Sequence, residues 1–484
     1  MDHEFIERHL ALSASSSQAV FGILDYFMIT SYEETDFGFL EGETDTNRIR
    51  GQLSAAFKSA RDKERFGFEF SLPAHERRHL LDLISTPFGL KLFHTTISQL
   101  ATFLELLRGF RDRSITPTRP FRTWMHEPNC PSDVISFVRT YDEYSQALGH
   151  YLSKGRVQER KDSSSSGIFS VIIEESSATG LYRCPYVGYR ENVHSSLKLY
   201  PINGMSILEG LGFQAQLQSM DQLESLIAVK AGCSDFWCQH LFYKEKYWQY
   251  WSTLLFAAHT CDYNAKKTTQ ILEFSLMTPS VPPGGSVRDP EELDPGFRLY
   301  WLIFFIFKNK PIDVESAIDL LCKDKGWQAP RQVVRYELHQ RVEPALREAG
   351  QPSDVIGVVL TDFLEMASRA FVLREEYPLR GGLLDVRWLN LSLQTLPPLH
   401  LKIKPGGMWD FRVHSDPLKG GAWAHFKVLT AIMESVVDHA KIKCPFALGS
   451  PGPSLPGDGK CTCNSGRERC FAANALDRLG VLWE

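Results

Sequence analysis

Along the first third of the chain, apolar residues return every three or four positions, the spacing that places them on one face of an α-helix. The pattern covers the segments Ala19 to Ile29, Leu53 to Ala60, Ile97 to Leu107 and, after a run of prolines, Val134 to Leu152. We therefore predict a helical region over residues 1–155. Residues 156–167 are charged and then serine-rich, with nothing to bury, and are predicted to form a linker.

From residue 168 the apolar period changes to two and β-branched residues become frequent, which predicts sheet strands. These strands cover 168–173, 181–187 and 196–200, and two helical stretches follow, Met220 to Val229 and His240 to Phe274. We predict an α+β region over 168–280, a proline- and glycine-rich connection over 281–296, a second α+β region over 297–443, and a tail rich in cysteine, glycine and proline over 444–484. The predicted fold class is α+β and predominantly helical, with a helical N-terminal region followed by mixed sheet and helix regions.

Composition limits the classes of partner. The chain has 484 residues, 43% of them hydrophobic, and a formal net charge of −5, so it can bury sizeable cores and has no basic surface excess for nucleic acid.

The longest apolar run of the chain, Leu299 to Phe307, is about half the ~20 residues of a membrane-spanning helix and predicts a buried strand or core helix. The N-terminus lacks the basic-then-apolar order of a secretory signal. We predict a soluble cytoplasmic protein with no nucleic-acid or membrane partner, and no cofactor, since the common nucleotide-binding motifs are absent.

The string His75-Glu-Arg-Arg-His79 fits HExxH, in which two histidines one helical turn apart bind zinc and the glutamate acts as the base. Its two arginines are charged, whereas a catalytic ion needs dry, apolar surroundings. The nearest downstream carboxylate for a third ligand is Glu105, on a face of core leucine and phenylalanine, and the helix is predicted to be short, bounded by Pro73 and Pro87. We interpret the string as a solvated helix face and assign no metal ligand.

Two other metal sites are suggested by spacing. Glu76–His79 and Glu191–His194 both fit the ExxH pairs of di-iron bundles, although residues 191–194 fall between predicted strands and a di-iron centre needs both pairs on long helices. Four thiols in the tail could close a structural zinc site, with free thiols as the alternative. These are Cys444, Cys461, Cys463 and Cys470.

A segment in the middle of the chain is dense in aromatic rings, and Tyr247, Trp248, Tyr250 and Trp251 form or flank one helical stripe. Such a stripe is typical of a core, but rings with polar tips also line pockets for flat or apolar ligands. We predict that these four residues bind a small-molecule substrate. The stretch Trp248 to Pro279 resembles, over about thirty residues, the opening segment of fungal indole prenyltransferases, which implies group transfer; it lies mid-chain and assigns no residue.

Asp410 and His414 are the predicted catalytic residues, because a strand with a period of two places them on one face, where they could transfer protons. A polar edge strand facing water is the alternative. Three functions follow. The first is an enzyme of small-molecule metabolism that acts on an apolar or aromatic substrate, for instance a group transferase. The second is a non-catalytic interaction or self-assembly protein, and the third is a zinc-dependent hydrolase acting through HERRH.

Overall fold

The computed structural model describes about two thirds of the residues of the chain. The described residues are 28–32, 45–59, 63–118, 120–153, 158–160, 169–175, 183–189, 196–227, 248–279, 290–310, 312–349, 354–379, 399–403, 409–412 and 417–438.

Helices dominate these residues, so the chain is predominantly helical, as predicted. In chain order they are α1 (Thr46–Ser59), α2 (Lys63–Ser85), α3 (Pro87–Asp112), α4 (Phe121–Trp124), α5 (Ser132–Ser153), α6 (Gly204–Ile227), α7 (Trp248–Thr260), α8 (Ala265–Leu276), α9 (Pro295–Lys308), α10 (Val314–Lys325), α11 (Pro330–Glu337), α12 (Glu343–Glu348), α13 (Val355–Glu376) and α14 (Pro417–Asp438). A short 3₁₀ helix, Pro290–Leu293, precedes α9, and a π-helical turn, Leu338–Val342, joins α11 to α12.

The described residues include seven strands, which form two small sheets. They are β1 (Met28–Tyr32), β2 (Gln158–Arg160), β3 (Phe169–Glu175), β4 (Arg183–Tyr189), β5 (Leu197–Pro201), β6 (Leu399–Ile403) and β7 (Trp409–Arg412). One sheet has the order β1-β6-β7, with β1 parallel to β6, and the other has the antiparallel order β2-β5-β4-β3. The helix predicted to end at Ile29 is therefore wrong at its C-terminal end, because Met28 and Ile29 pair with β6.

Local chemistry sets several helix boundaries. Thr86 separates α2 from α3, because its side chain accepts a hydrogen bond from the backbone N–H of Gly89 while Pro87 takes the first helical position. Asp294 and Asp313 cap α9 and α10 in the same way. The apolar run predicted as a strand or core helix is thus part of a helix, α9.

One continuous hydrophobic core joins the long helices. Within it the ring of Phe93 from α3 stacks on that of Phe363 from α13, with centroids 3.7 Å apart. The indole N–H of the buried Trp423 from α14 donates to Asp362 at 2.8 Å. The core also includes α6, through Ile207, Leu208 and Leu211.

Candidate metal centre

The HERRH string lies inside the helix α2, and all five of its side chains are buried, with His75 5% and His79 4% exposed. The interpretation of the string as a solvated helix face is therefore wrong. The helix is also longer than predicted, because it continues through Pro73 instead of beginning there. The string occupies the interface where α2 packs along α6.

Helix α6 brings a carboxylate to the two histidines. The Nε2 atoms of His75 and His79 lie 3.0 Å apart, one helical turn separating the residues. Glu209 reaches both of them: its Oε2 is 3.3 Å from Nε2 of His75, and its Oε1 is 3.7 Å from Nε2 of His79. Two imidazole nitrogens from α2 and the two oxygens of one carboxylate from α6 thus lie close together.

Their separations match a tetrahedral ion. Bonds of about 2.0–2.2 Å from zinc to nitrogen or oxygen place neighbouring ligand atoms roughly 3.3–3.5 Å apart. The two nitrogens are 3.0 Å apart, and each lies 3.3 or 3.7 Å from a different oxygen of Glu209, so the distances lie on either side of that range. A carboxylate oxygen of Glu76 lies within 4.8 Å of a ring nitrogen of each histidine, so the HExxH glutamate also borders the site.

Helix α6 is shaped to accept the His75 ring. Gly212 lies one turn after Glu209, and a β-carbon there would come within 2.9 Å of Cε1 and Nε2 of that imidazole. The ring of Phe213 contacts the same imidazole edge to face, at 4.8 Å between centroids. A carboxylate, a glycine and an aromatic ring on one helix face therefore fix the imidazole from three sides.

The arginines of the string do not face this point. Residues advance by about 100° per position around a helix, so Arg77 projects on the side of α2 opposite the two histidines. Burial lowers its pKa to about 10, which leaves it charged at neutral pH. Arg78 donates from Nη2 to Glu273 at 2.7 Å and from Nε to Asp82 at 3.0 Å. Two carboxylates thus offset its charge, and the remaining repulsion from Arg78 helps to lower the pKa of His79.

A four-charge network extends from Arg78. Glu273 of α8 also pairs with Arg374 of α13, at 3.3 Å, and Arg374 donates to the hydroxyl of Ser85 at 2.8 Å. Two guanidinium and two carboxylate groups therefore balance one another in a fully buried position and hold α2 against α8 and α13.

Electrostatics favour the protonation states that a metal needs at two of the three ligands. Burial lowers the pKa of His79 to about 4, against the attraction of Glu209, so this imidazole is neutral. Burial would raise the pKa of Glu209, but the hydrogen bond with His75 and the two imidazoles lower it below its usual value, so it is ionised. At His75 the effect of burial is outweighed by Glu209 and Glu76, and the pKa is raised.

Of the predicted substrate-binding residues, Trp251 is described in full. It is buried, and its ring packs on Phe213 at 4.6 Å, so a chain of rings connects Trp251 to His75. Trp248 and Tyr250 belong to α7, but the structure describes only their backbone. Tyr247 lies outside the described residues. The predicted substrate pocket remains a prediction.

The other predicted sites lie wholly or partly outside the residues that the structure describes. Asp410 lies on β7, but its side chain is outside the described residues, and so are His414, residues 191–194 and the four tail cysteines. Glu105, the third ligand considered from the sequence, is exposed on α3. The carboxylate beside the histidines is Glu209, which sequence reasoning missed; the available signal was a lone acid in the apolar segment Ile207 to Phe213.

Comparisons with protein-family models, with curated proteins and with solved structures find no match for this chain. Among the described residues, no helix combines the length and apolar character needed to cross a bilayer.

Proposed function

We propose that this protein is a metal-dependent hydrolase whose ion is held by His75, His79 and Glu209. The observation that carries the proposal is the convergence of two imidazole nitrogens and a carboxylate at the spacings of a tetrahedral centre. Two nitrogens and one oxygen form a ligand set typical of catalytic zinc, which leaves a fourth position for water or substrate. The side chain of Glu209 is 18% exposed, so the site is reached from that side.

Glu76 supplies the group that hydrolysis requires. A zinc ion lowers the pKa of its bound water to about 7. A carboxylate beside that water can accept its proton as the oxygen attacks a carbonyl carbon, and can then return the proton to the leaving group. Glu76 borders the two imidazoles, which supports this role.

Two histidines and one carboxylate also bind iron(II) in oxygenases, so metal identity discriminates between reaction classes. The neighbouring Glu76 favours hydrolysis, because it provides a base for water. The rings of Phe213 and Trp251 lie on the α6–α7 side of His75. They support the apolar or aromatic substrate predicted from the sequence.

Metal analysis tests the site. We expect the purified protein to contain one zinc ion per chain, measured by mass spectrometry after growth in zinc-supplemented medium. Glu209→Gln removes the charged ligand and should abolish stoichiometric zinc, whereas Glu105→Gln, a matched change at an exposed glutamate, should retain it. Equal zinc content in the two variants would contradict the assignment, and circular dichroism of both checks that they are folded.

Activity tests the base. Glu76→Gln should retain zinc and lose hydrolysis of a mixed peptide and ester library by on the order of 10²-fold or more, the contribution typical of a general base. A variant that keeps both zinc and full activity would exclude Glu76 from proton transfer. Stoichiometric iron together with oxygen consumption would replace the hydrolase proposal with an oxygenase.

A further inference from the structure

A second site lies where α3 meets the π-helical turn. A pocket of about 180 Å³ opens there, lined by Leu90, Lys91, His94, Thr95, Ser98 and Arg341. One water needs about 10–15 Å³ by the same measure, so the pocket has room for a larger ligand. Four of its polar residues recur at the three- and four-residue spacing of one helix face, and Arg341 faces them from the turn.

Every polar group that lines this pocket can donate a hydrogen bond. The set comprises an ammonium, a guanidinium, an imidazole and two hydroxyl groups, and the six lining residues include no acid. His94 and Arg341 are close enough that the Arg341 charge, added to burial, lowers the pKa of His94. Both side chains line the same pocket, where an anion could accept hydrogen bonds from the guanidinium and from the imidazole N–H.

Two acids lie near the pocket without lining it. Asp294 and Glu337 act on Lys91, whose pKa burial nevertheless lowers to about 8. Both acids are almost fully buried, and Asp294 accepts hydrogen bonds from Gly296 and Phe297 at the start of α9. The Oε2 of Glu337 is 3.8 Å from Nε of Arg341, beyond hydrogen-bonding distance. These acids partly offset the charges of Lys91 and Arg341, and the lowered pKa leaves His94 mainly as a neutral imidazole whose N–H can donate a hydrogen bond.

Pro344 accounts for the π-helical turn, and the turn brings Arg341 to the pocket. The backbone N–H of Glu343 bonds to the carbonyl of Leu338, a five-residue step, and Pro344 has no N–H to continue the ordinary four-residue pattern. Such π-turns insert one residue, change the direction of the side chains around them, and recur at functional sites. Here the turn carries Arg341 to the pocket.

We propose that this pocket binds a phosphate group. A phosphate is a compact dianion with several acceptor oxygens, which suits a forked guanidinium, an ammonium and neighbouring hydroxyls better than a planar carboxylate does. The group is carried by a small phosphorylated molecule or by a lipid headgroup, and the site is independent of the candidate metal centre.

Calorimetric titration with inorganic phosphate and with pyrophosphate tests this proposal, at a fixed ionic strength set with chloride. We expect saturable binding by the unmodified protein, weakened by on the order of tenfold in Arg341→Met, the effect of losing one charge-assisted contact. Arg335→Met is the matched control, because Arg335 is exposed and pairs with Glu375 at 2.8 Å, outside the pocket. It should bind like the unmodified protein.

A His79→Ala variant separates the two sites, since binding at the pocket should survive loss of the metal ligand. Anion binding that disappears in His79→Ala and persists in Arg341→Met would overturn the proposal by assigning the anion to the metal centre. Sedimentation with phosphatidylcholine vesicles, with and without phosphatidic acid, identifies the carrier. Arg341-dependent binding to the phosphatidic acid vesicles alone assigns the phosphate to a lipid, and absence of Arg341-dependent binding to any of these probes refutes the site.

Discussion

Gly212→Ala is the smallest change that perturbs the candidate metal centre without removing a ligand. The added β-carbon would lie 2.9 Å from Cε1 and Nε2 of His75 and 3.0 Å from Nδ1. Ordinary carbon contacts are about 3.5 Å or longer, so the imidazole must retreat by roughly 0.5 Å. Metal–ligand distances tolerate only about 0.2 Å, so the displaced ring no longer fits the centre.

Stability and metal affinity should therefore respond differently. Alanine is favoured over glycine inside a helix by about 1 kcal/mol, which offsets part of the cost of moving the ring. We expect a small net change in the free energy of unfolding. Zinc affinity should fall on the order of 10- to 100-fold, as for other changes that displace a ligand from its supporting contacts.

The assay is competition for zinc with a fluorescent chelator, combined with urea unfolding of the metal-free protein. Gly210→Ala is the matched control on the same helix, because its β-carbon would make ordinary contacts, the nearest being Leu254 Cβ at 3.4 Å. It should gain helix propensity and keep the zinc affinity of the unmodified protein. Unchanged zinc affinity in Gly212→Ala, or an equal loss in both variants, would refute the assigned geometry.

Three further predictions concern the buried interior. Glu273→Gln leaves two buried guanidinium groups sharing one carboxylate and should cost about 3–5 kcal/mol in urea unfolding; a loss below 1 kcal/mol would contradict the network. Phe93→Ala removes the ring stacked on Phe363 and should cost about 3–5 kcal/mol by the same assay, with no loss of zinc. Burial raises the pKa of Cys261 and of Cys322 from 9.0 to about 11. The folded state thus keeps both thiols protonated, and stability should fall as the pH rises from about 9 to about 11, less steeply when both are alanine; identical pH profiles would refute this.

Local pattern predicted much of the helical architecture. The helical spacing predicted from Ile97 to Leu107 and from Val134 to Leu152 lies within α3 and α5, because apolar residues at three- and four-residue steps mark a buried helix face. Pro73 shows the limit of such rules, since a proline that is expected to begin a helix lies inside α2. Helix α2 packs along α6, a long-range contact that the local sequence does not contain.

The candidate metal centre was harder still to predict, because it is formed by contacts between helices that are distant in the sequence. Glu209 is 130 positions from His79, and periodicity cannot tell which helix packs against which. The two arginines were misinterpreted for the same reason. A buried guanidinium is compatible with dry surroundings when carboxylates pair with it, and the sequence did not show both partners of Arg78. Asp82, one turn after Arg78, was visible in the sequence, but Glu273 was not recognisable as the second partner.

The side chain of Glu209 is more exposed than the two imidazoles, so a bound ion would exchange with solvent on the side of Glu209. A chelator cannot surround an ion whose nitrogen ligands are enclosed by α2 and α6. Dissociation of the ion therefore requires a prior conformational change, either rotation of the Glu209 side chain or separation of the two helices. Loss of zinc to an excess of chelator should then follow a single slow rate that does not depend on chelator concentration. Glu209→Asp, which shortens that arm by one methylene, should accelerate it.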